Sequence, residues 1–157
     1  MKRAIPLLTA LMIVVAVSRP VQAVSDPVID ARIFGIELCP QFICGAAIFS
    51  GVVAGQVGNN PRAFGTFAVA IIHEDLPDPG QEAAIVDGVF EIRVRLQRIR
   101  GVVSDGTLTN NGDNTFTVEA VLTIAGGGGE AFFCGTLDHR GFPTISGTIA
   151  QVPGCIP

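Results

Sequence analysis

The chain has 157 residues and a mass of 16.3 kDa, with 48% hydrophobic and 15% charged residues and neither Trp nor Tyr. A chain of this length forms one domain around one core. Its 14 acidic residues outnumber the ten basic ones, so it lacks the basic face that a phosphate backbone requires, and we expect no nucleic-acid partner.

The first 23 residues have the three-part layout of a secretory signal peptide. Lys2 and Arg3 form a basic start, residues 7–17 form an apolar run, and small residues precede a cleavage site near Ala23. A bilayer-spanning helix needs roughly 20 apolar residues, more than this run supplies, although an amino-terminal membrane anchor is the alternative. We predict residues 1–23 as a signal peptide and residues 24–157 as a single domain. That domain would be secreted, or held in the periplasm or at the cell surface, with no integral membrane span after cleavage.

All four cysteines follow the predicted cleavage site: Cys39, Cys44, Cys134 and Cys155. An even number of cysteines in an exported chain predicts disulfides. We expect Cys39 to pair with Cys44, closing a tight loop, and Cys134 to pair with Cys155, which would fix the carboxyl end. Cys44 with Cys134 is the rival pairing. Zinc binding is a further alternative, but no two of these cysteines have the two-residue spacing of a zinc knuckle.

Apolar residues with a period of two predict β-strands along the domain. Residues 46–57 and 63–72 are rich in β-branched and small residues and are separated by turn-forming residues. From Phe90 to Leu96 apolar residues alternate with polar ones, and the even-numbered side chains are expected inside. After Leu96 the apolar phase moves by one residue, which predicts a β-bulge near residues 97–98 or a short turn there.

Residues 115–125 form the second clear strand, in which the even-numbered side chains from Phe116 to Ile124 are apolar. The Asn- and Gly-rich segment before it predicts a hairpin with residues 107–110. Four glycines, 126–129, then form a strand connection, because they lack the context of a phosphate-binding loop. The strand and glycine turn of residues 115–132 resemble those of dirigent and allene oxide cyclase type barrels. The resemblance implies a barrel and carries no activity.

These elements predict an all-β fold, namely a single small antiparallel β-barrel of six to eight strands, with a β-sandwich as the alternative. The segment Phe42-Ile-Cys-Gly45 is echoed by Phe132-Phe-Cys-Gly135, and a Ser-Gly pair follows each. One interpretation is two pseudo-symmetric halves in which Cys44 and Cys134 are equivalent. Coincidence in a composition rich in Gly, Val and Ala is the other.

Two groups of residues could carry chemistry. Both histidines stand beside carboxylates, and imidazole with carboxylate can ligate a metal; the candidates are His73, Asp75, Asp138 and His139. Surface histidines beside solvated acids are the alternative. Closely spaced arginines could contact an anion or a partner; these are Arg93, Arg95, Arg98 and Arg100. Cross-strand pairing with Glu82, Asp87 or Glu119 is the alternative for them.

No serine stands in a Gly-x-Ser-x-Gly elbow, and the chain contains no other convincing catalytic motif. We therefore expect an exported, non-catalytic binding or structural domain that needs no cofactor and contacts a small ligand or a cell-surface partner. One alternative is a small metal-dependent enzyme that uses the His73 and His139 segments. Another is a barrel that carries an apolar ligand among Phe67, Phe90 and Phe116.

Overall fold

A computed structural model describes residues 28–152. Eight antiparallel strands form a closed barrel in which each strand pairs with the next and the last pairs with the first. The strands are β1 (Ile29–Cys39), β2 (Ala47–Val57), β3 (Asn60–His73), β4 (Glu82–Val94), β5 (Gln97–Asn110), β6 (Thr115–Ile124), β7 (Glu130–Asp138) and β8 (Thr144–Ala150), and one short helix, α1 (Gln41–Cys44), lies between β1 and β2. The barrel prediction is confirmed, with eight strands. The predicted signal peptide, its cleavage site and Cys155 lie outside the described residues.

The side chains of one strand face fill the inside of the barrel. On β6 the even-numbered residues from Phe116 to Ile124 are all buried, as predicted. The void left among the interior side chains is only about 50 Å³, whereas pockets for small ligands measure roughly 300–1,000 Å³. Phe67 and Phe90 fill this interior, so the geometry does not favour an apolar ligand there. Between residues 28 and 152, no helix is long and apolar enough to span a membrane.

Glycines let the strands approach the interior phenylalanine rings closely. A Cβ atom on Gly35 would lie 2.6 Å from Cζ of Phe67 and 2.6 Å from the carbonyl oxygen of Ser50. A Cβ atom on Gly147 would lie 2.6 Å from Cε2 of Phe133. Real Cβ atoms do not approach other atoms so closely, so these rings occupy space that only glycine leaves free.

A two-residue turn, and not a β-bulge, produces the change of phase after Leu96. Val94 of β4 pairs with Gln97 of β5, so only Arg95 and Leu96 connect the strands. Arg95 has a φ of 51°, as tight hairpin turns require. Leu96 is fully exposed, so its predicted inward position is wrong, because the alternation ends where the strand ends.

The disulfide between Cys39 and Cys44 is present and links the end of β1 to α1. The rival pairing of Cys44 with Cys134 is therefore wrong. The two echoed segments also differ in structure, because the first forms α1 and the second lies within β7, so Cys44 and Cys134 are not equivalent. Cys134 is disulfide-bonded as well, and its predicted partner, Cys155, is not among the described residues.

Candidate functional site

One end of the barrel carries both histidines and the Cys39–Cys44 disulfide. The connections β1–β2, β3–β4, β5–β6 and β7–β8 all lie at this end, which we call the mouth. A cleft of about 490 Å³ opens among them, within the size range of small-molecule sites. Its lining includes polar side chains above and an apolar floor below; these are Glu37, Gln41, His73, Glu74, Asp75 and His139, and Phe49, Ile71, Leu108 and Leu137.

The disulfide loop forms one wall of the mouth, and Gln41 fixes its position. The Gln41 side chain accepts a hydrogen bond from the backbone N–H of His73 and donates one to the His73 carbonyl, each at 2.8 Å. Gly45 ends α1 in the left-handed region, with a φ of 76°, which glycine adopts without strain. The disulfide thus joins the two ends of the loop, and Gln41 between them fastens the loop to the end of β3.

A carboxylate and an imidazole meet inside the mouth. Glu37 occupies an inward position on β1, and its side chain is only 6% exposed. Its Oε2 atom lies 3.0 Å from Nε2 of His139. The buried Nε2 atom has no hydrogen-bond partner within residues 28–152, so the two groups are close without forming a hydrogen bond.

The backbone and a neighbouring ring hold this pair in place. The N–H of Glu37 donates to the carbonyl of Pro143 at 3.1 Å, and the N–H of His139 donates to the carbonyl of Asn114 at 2.8 Å. The His139 ring packs edge-on against Phe116, with centroids 5.6 Å apart. Strand β1 and two connections of the mouth, β5–β6 and β7–β8, therefore converge on one buried polar pair.

Three of the four predicted metal ligands line the cleft, namely His73, Asp75 and His139. The fourth, Asp138, instead binds Arg140 at 2.7 Å, and hydrogen bonds from Arg140 lower the Asp138 pKa to about 2. The His73 Nδ1 atom lies 2.5 Å from the carbonyl oxygen of Glu74. Over residues 28–152 no three His, Cys, Asp or Glu side chains come close enough together to hold a metal ion. The metal hypothesis therefore lacks a ligand set in this part of the chain.

The predicted arginine group lies on the outer face at the opposite end of the barrel. Three of its members surround Glu91: Arg93 bonds to it, and Arg98 and Arg100 approach it at 2.5 Å and 2.8 Å. Their hydrogen bonds, that of Arg98 first, lower the Glu91 pKa to about 2. The expected cross-strand partners, Glu82, Asp87 and Glu119, are not the ones found, because the carboxylate that these arginines contact is Glu91.

Glu37 and Gln41 were not predicted as site residues, and one of them left a signal in the sequence. Ile29, Ala31 and Ile33 occupy the inward positions of β1, and Glu37 continues the same phase. A charged residue at an inward position needs a partner or a function. Gln41 left no such signal, because its role depends on where the disulfide loop meets β3.

Comparisons with known proteins do not assign this chain to a family. No protein-family model matches the chain, and no curated protein and no solved structure matches it either.

Proposed function

We propose that the chain is an exported, non-catalytic binding domain whose mouth cleft takes a small organic cation with an apolar body. The observation that carries this proposal is the buried carboxylate of Glu37 above an apolar floor. The described lining combines three carboxylates, two imidazoles and an amide with apolar surface, a combination that suits an amphipathic ligand.

The charge of the lining favours a positively charged ligand. Glu37, Glu74 and Asp75 contribute three carboxylates, whereas the basic side chains of the described lining are the two histidines, His73 and His139. Low local dielectric strengthens the attraction between a buried carboxylate and a cation. An ammonium group could also satisfy the oxygen atoms that Glu37 directs toward the cleft, since each ammonium carries several donors.

The apolar floor favours a ligand with an apolar body. Phe49, Ile71, Leu108 and Leu137 would contact its apolar body, and burial of apolar surface contributes roughly 25 cal/mol per Å². The floor also closes the way into the barrel, whose interior void is about 50 Å³. The ligand would therefore sit in the mouth and not inside the barrel.

Calorimetric titration with hexylamine, hexanol and hexanoate tests the proposal, because the three compounds share one apolar body and differ in charge. We expect hexylamine to bind most tightly and hexanoate most weakly. Glu37→Gln keeps the shape of the side chain and removes its charge, so hexylamine affinity should fall about tenfold, the loss of one charge-assisted contact of about 1.4 kcal/mol.

Glu82→Gln is the matched control, since Glu82 is an exposed carboxylate at the same end of the barrel and does not line the cleft. It should leave hexylamine affinity unchanged. Equal binding of hexylamine and hexanoate, or an equal loss in both variants, would contradict a site built around Glu37. If Glu37→Gln proves too unstable to titrate, Asp75→Asn, at an exposed lining position, gives the same comparison.

A further inference from the structure

The β4–β5 hairpin, at the end of the barrel opposite the mouth, has a basic tip with an apolar apex. We define the hairpin tip as residues 93–100. Its four arginines are all exposed, and Leu96 is fully exposed between them in the two-residue turn. Leu96 contributes nothing to the core, and burying its side chain against another apolar surface would be favourable.

The hairpin tip has more positive charge than the barrel neutralises. Glu91 is the one carboxylate that Arg93, Arg98 and Arg100 share. Arg95 forms no ion pair with any carboxylate among residues 28–152. Four guanidinium groups against one carboxylate leave a net charge of +3 on this group of five side chains, in a chain whose net charge is −4.

Neighbouring strands extend this surface. Thr66 of β3 pairs with Arg93, so the outward side chains of Phe64 and Arg62, two and four residues before it, lie on the same face. Both are exposed. A Cβ atom on Gly58 would meet the Gln97 side chain at 2.6 Å, which places the β2–β3 turn directly beside the hairpin tip.

We propose that the hairpin tip docks on an anionic phospholipid bilayer, with its arginines on the lipid phosphates and Leu96 inserted among the acyl chains near the surface. Arginine binds phosphate with two parallel hydrogen bonds. Each basic residue near an anionic bilayer contributes about 1 kcal/mol, equivalent to about fivefold in affinity. Inserted apolar side chains add to this attraction at the interface.

The exposed Leu96 is what favours a bilayer over a dissolved anion. A free phosphate or an acidic polymer would use the arginines alone and would leave Leu96 in water. A bilayer surface offers negative charge and an apolar layer a few ångströms apart, which matches the spacing of charge and leucine within one hairpin turn. Docking by this end would direct the mouth cleft away from the lipid, and the proposal does not depend on what the cleft binds.

Sedimentation with vesicles tests the proposal. The chain would be incubated at low salt with vesicles of phosphatidylcholine alone and with vesicles in which roughly one third of the lipid is phosphatidylglycerol, a strongly anionic surface. We expect binding to the anionic vesicles that falls as salt rises. Arg95→Gln/Arg98→Gln should weaken it about 25-fold, and Leu96→Ser about tenfold.

Matched controls lie at the mouth. Arg140→Gln removes an exposed arginine, and Phe142→Ser removes a large side chain that is 70% exposed; neither should change vesicle binding. Any contribution of residues 1–27 is common to all variants and cancels between them. Absence of binding to anionic vesicles, or binding that Leu96→Ser and the arginine variant leave unchanged, overturns the proposal. So does equal binding to dextran sulfate that does not depend on Leu96, since that result would indicate a general polyanion site.

Discussion

Removing the Cys39–Cys44 disulfide should destabilise the domain by about 2 kcal/mol. The two cysteines are five residues apart, and the entropy lost by closing so short a loop in the unfolded chain is about 7 cal/mol/K, or about 2 kcal/mol at 25 °C. For a domain of about 130 residues this corresponds to a decrease in Tm of about 8 °C. The change is best made as Cys39→Ser/Cys44→Ser, because chemical reduction would also open the disulfide of Cys134.

Urea unfolding followed by far-ultraviolet circular dichroism measures the loss, since the chain has no Trp or Tyr to report by fluorescence. The midpoint should fall while the m-value stays the same, because the barrel buries the same surface. Gln41→Ala is the companion variant. It removes the two hydrogen bonds to His73, at a cost of about 1–2 kcal/mol.

The two perturbations should be less than additive when combined, because both release the same loop from the mouth. A variant without the disulfide that unfolds at the wild-type midpoint would refute the reasoning. Full additivity would contradict the view that the disulfide and Gln41 hold one loop together.

Three further predictions concern the barrel and the mouth. The pKa of Glu91 is about 2 in the folded protein against an ordinary value of 4.5. A lowered carboxyl pKa stabilises the fold above pH 4.5, and this contribution should disappear as the pH falls from 4.5 to 2. The pH dependence of Tm should therefore be shallower in Glu91→Gln over that window. Changing Phe49, which is 1% exposed, to Ala should lower the free energy of unfolding by about 3–5 kcal/mol, as measured by urea unfolding. A decrease below about 1 kcal/mol would contradict the place of Phe49 in the core. Titration of the full chain with Zn²⁺ should show no stoichiometric binding, and one bound ion that His73→Ala or His139→Ala removes would restore the metal-dependent enzyme as a candidate.

The sequence predicted β2, β3, β6 and parts of β4 and β5, because their patterns depend on local alternation, whereas β1, β7 and β8 were not predicted. Residues 46–57 and 63–72 match β2 and β3 closely, and the hairpin of β5 with β6 lies where the Asn-rich turn predicted it. Inward and outward faces follow from a period of two, which any closed or packed sheet imposes. The choice of barrel over sandwich depends on the pairing of β1 with β8, whose paired residues, from Ile36 with Thr144 to Asp30 with Ala150, lie far apart in the chain.

The errors have a common physical cause, which is the position of turns and of long-range partners. The alternation predicts an inward Leu96 because the strand pattern continues through it, yet the pattern cannot show where a two-residue turn begins. Cross-strand pairing of the arginines is confirmed for Arg98 and Arg100 on β5, but the partner is Glu91 on β4 and none of the three expected carboxylates. They pair with Glu91 because the short turn brings Arg98 and Arg100 back alongside it.

The two ends of the barrel differ in charge, because the connections at the two ends carry different charged residues. The mouth has the longer connections, and its acidic residues include Glu74, Asp75 and Asp113. The hairpin tip at the other end is a two-residue turn with arginines on both strands. A closed barrel whose interior is filled can bind only at its ends or on its outer face. Opposite charge at the two ends therefore gives this domain two separate surfaces, one suited to a small cation and one to an anionic layer.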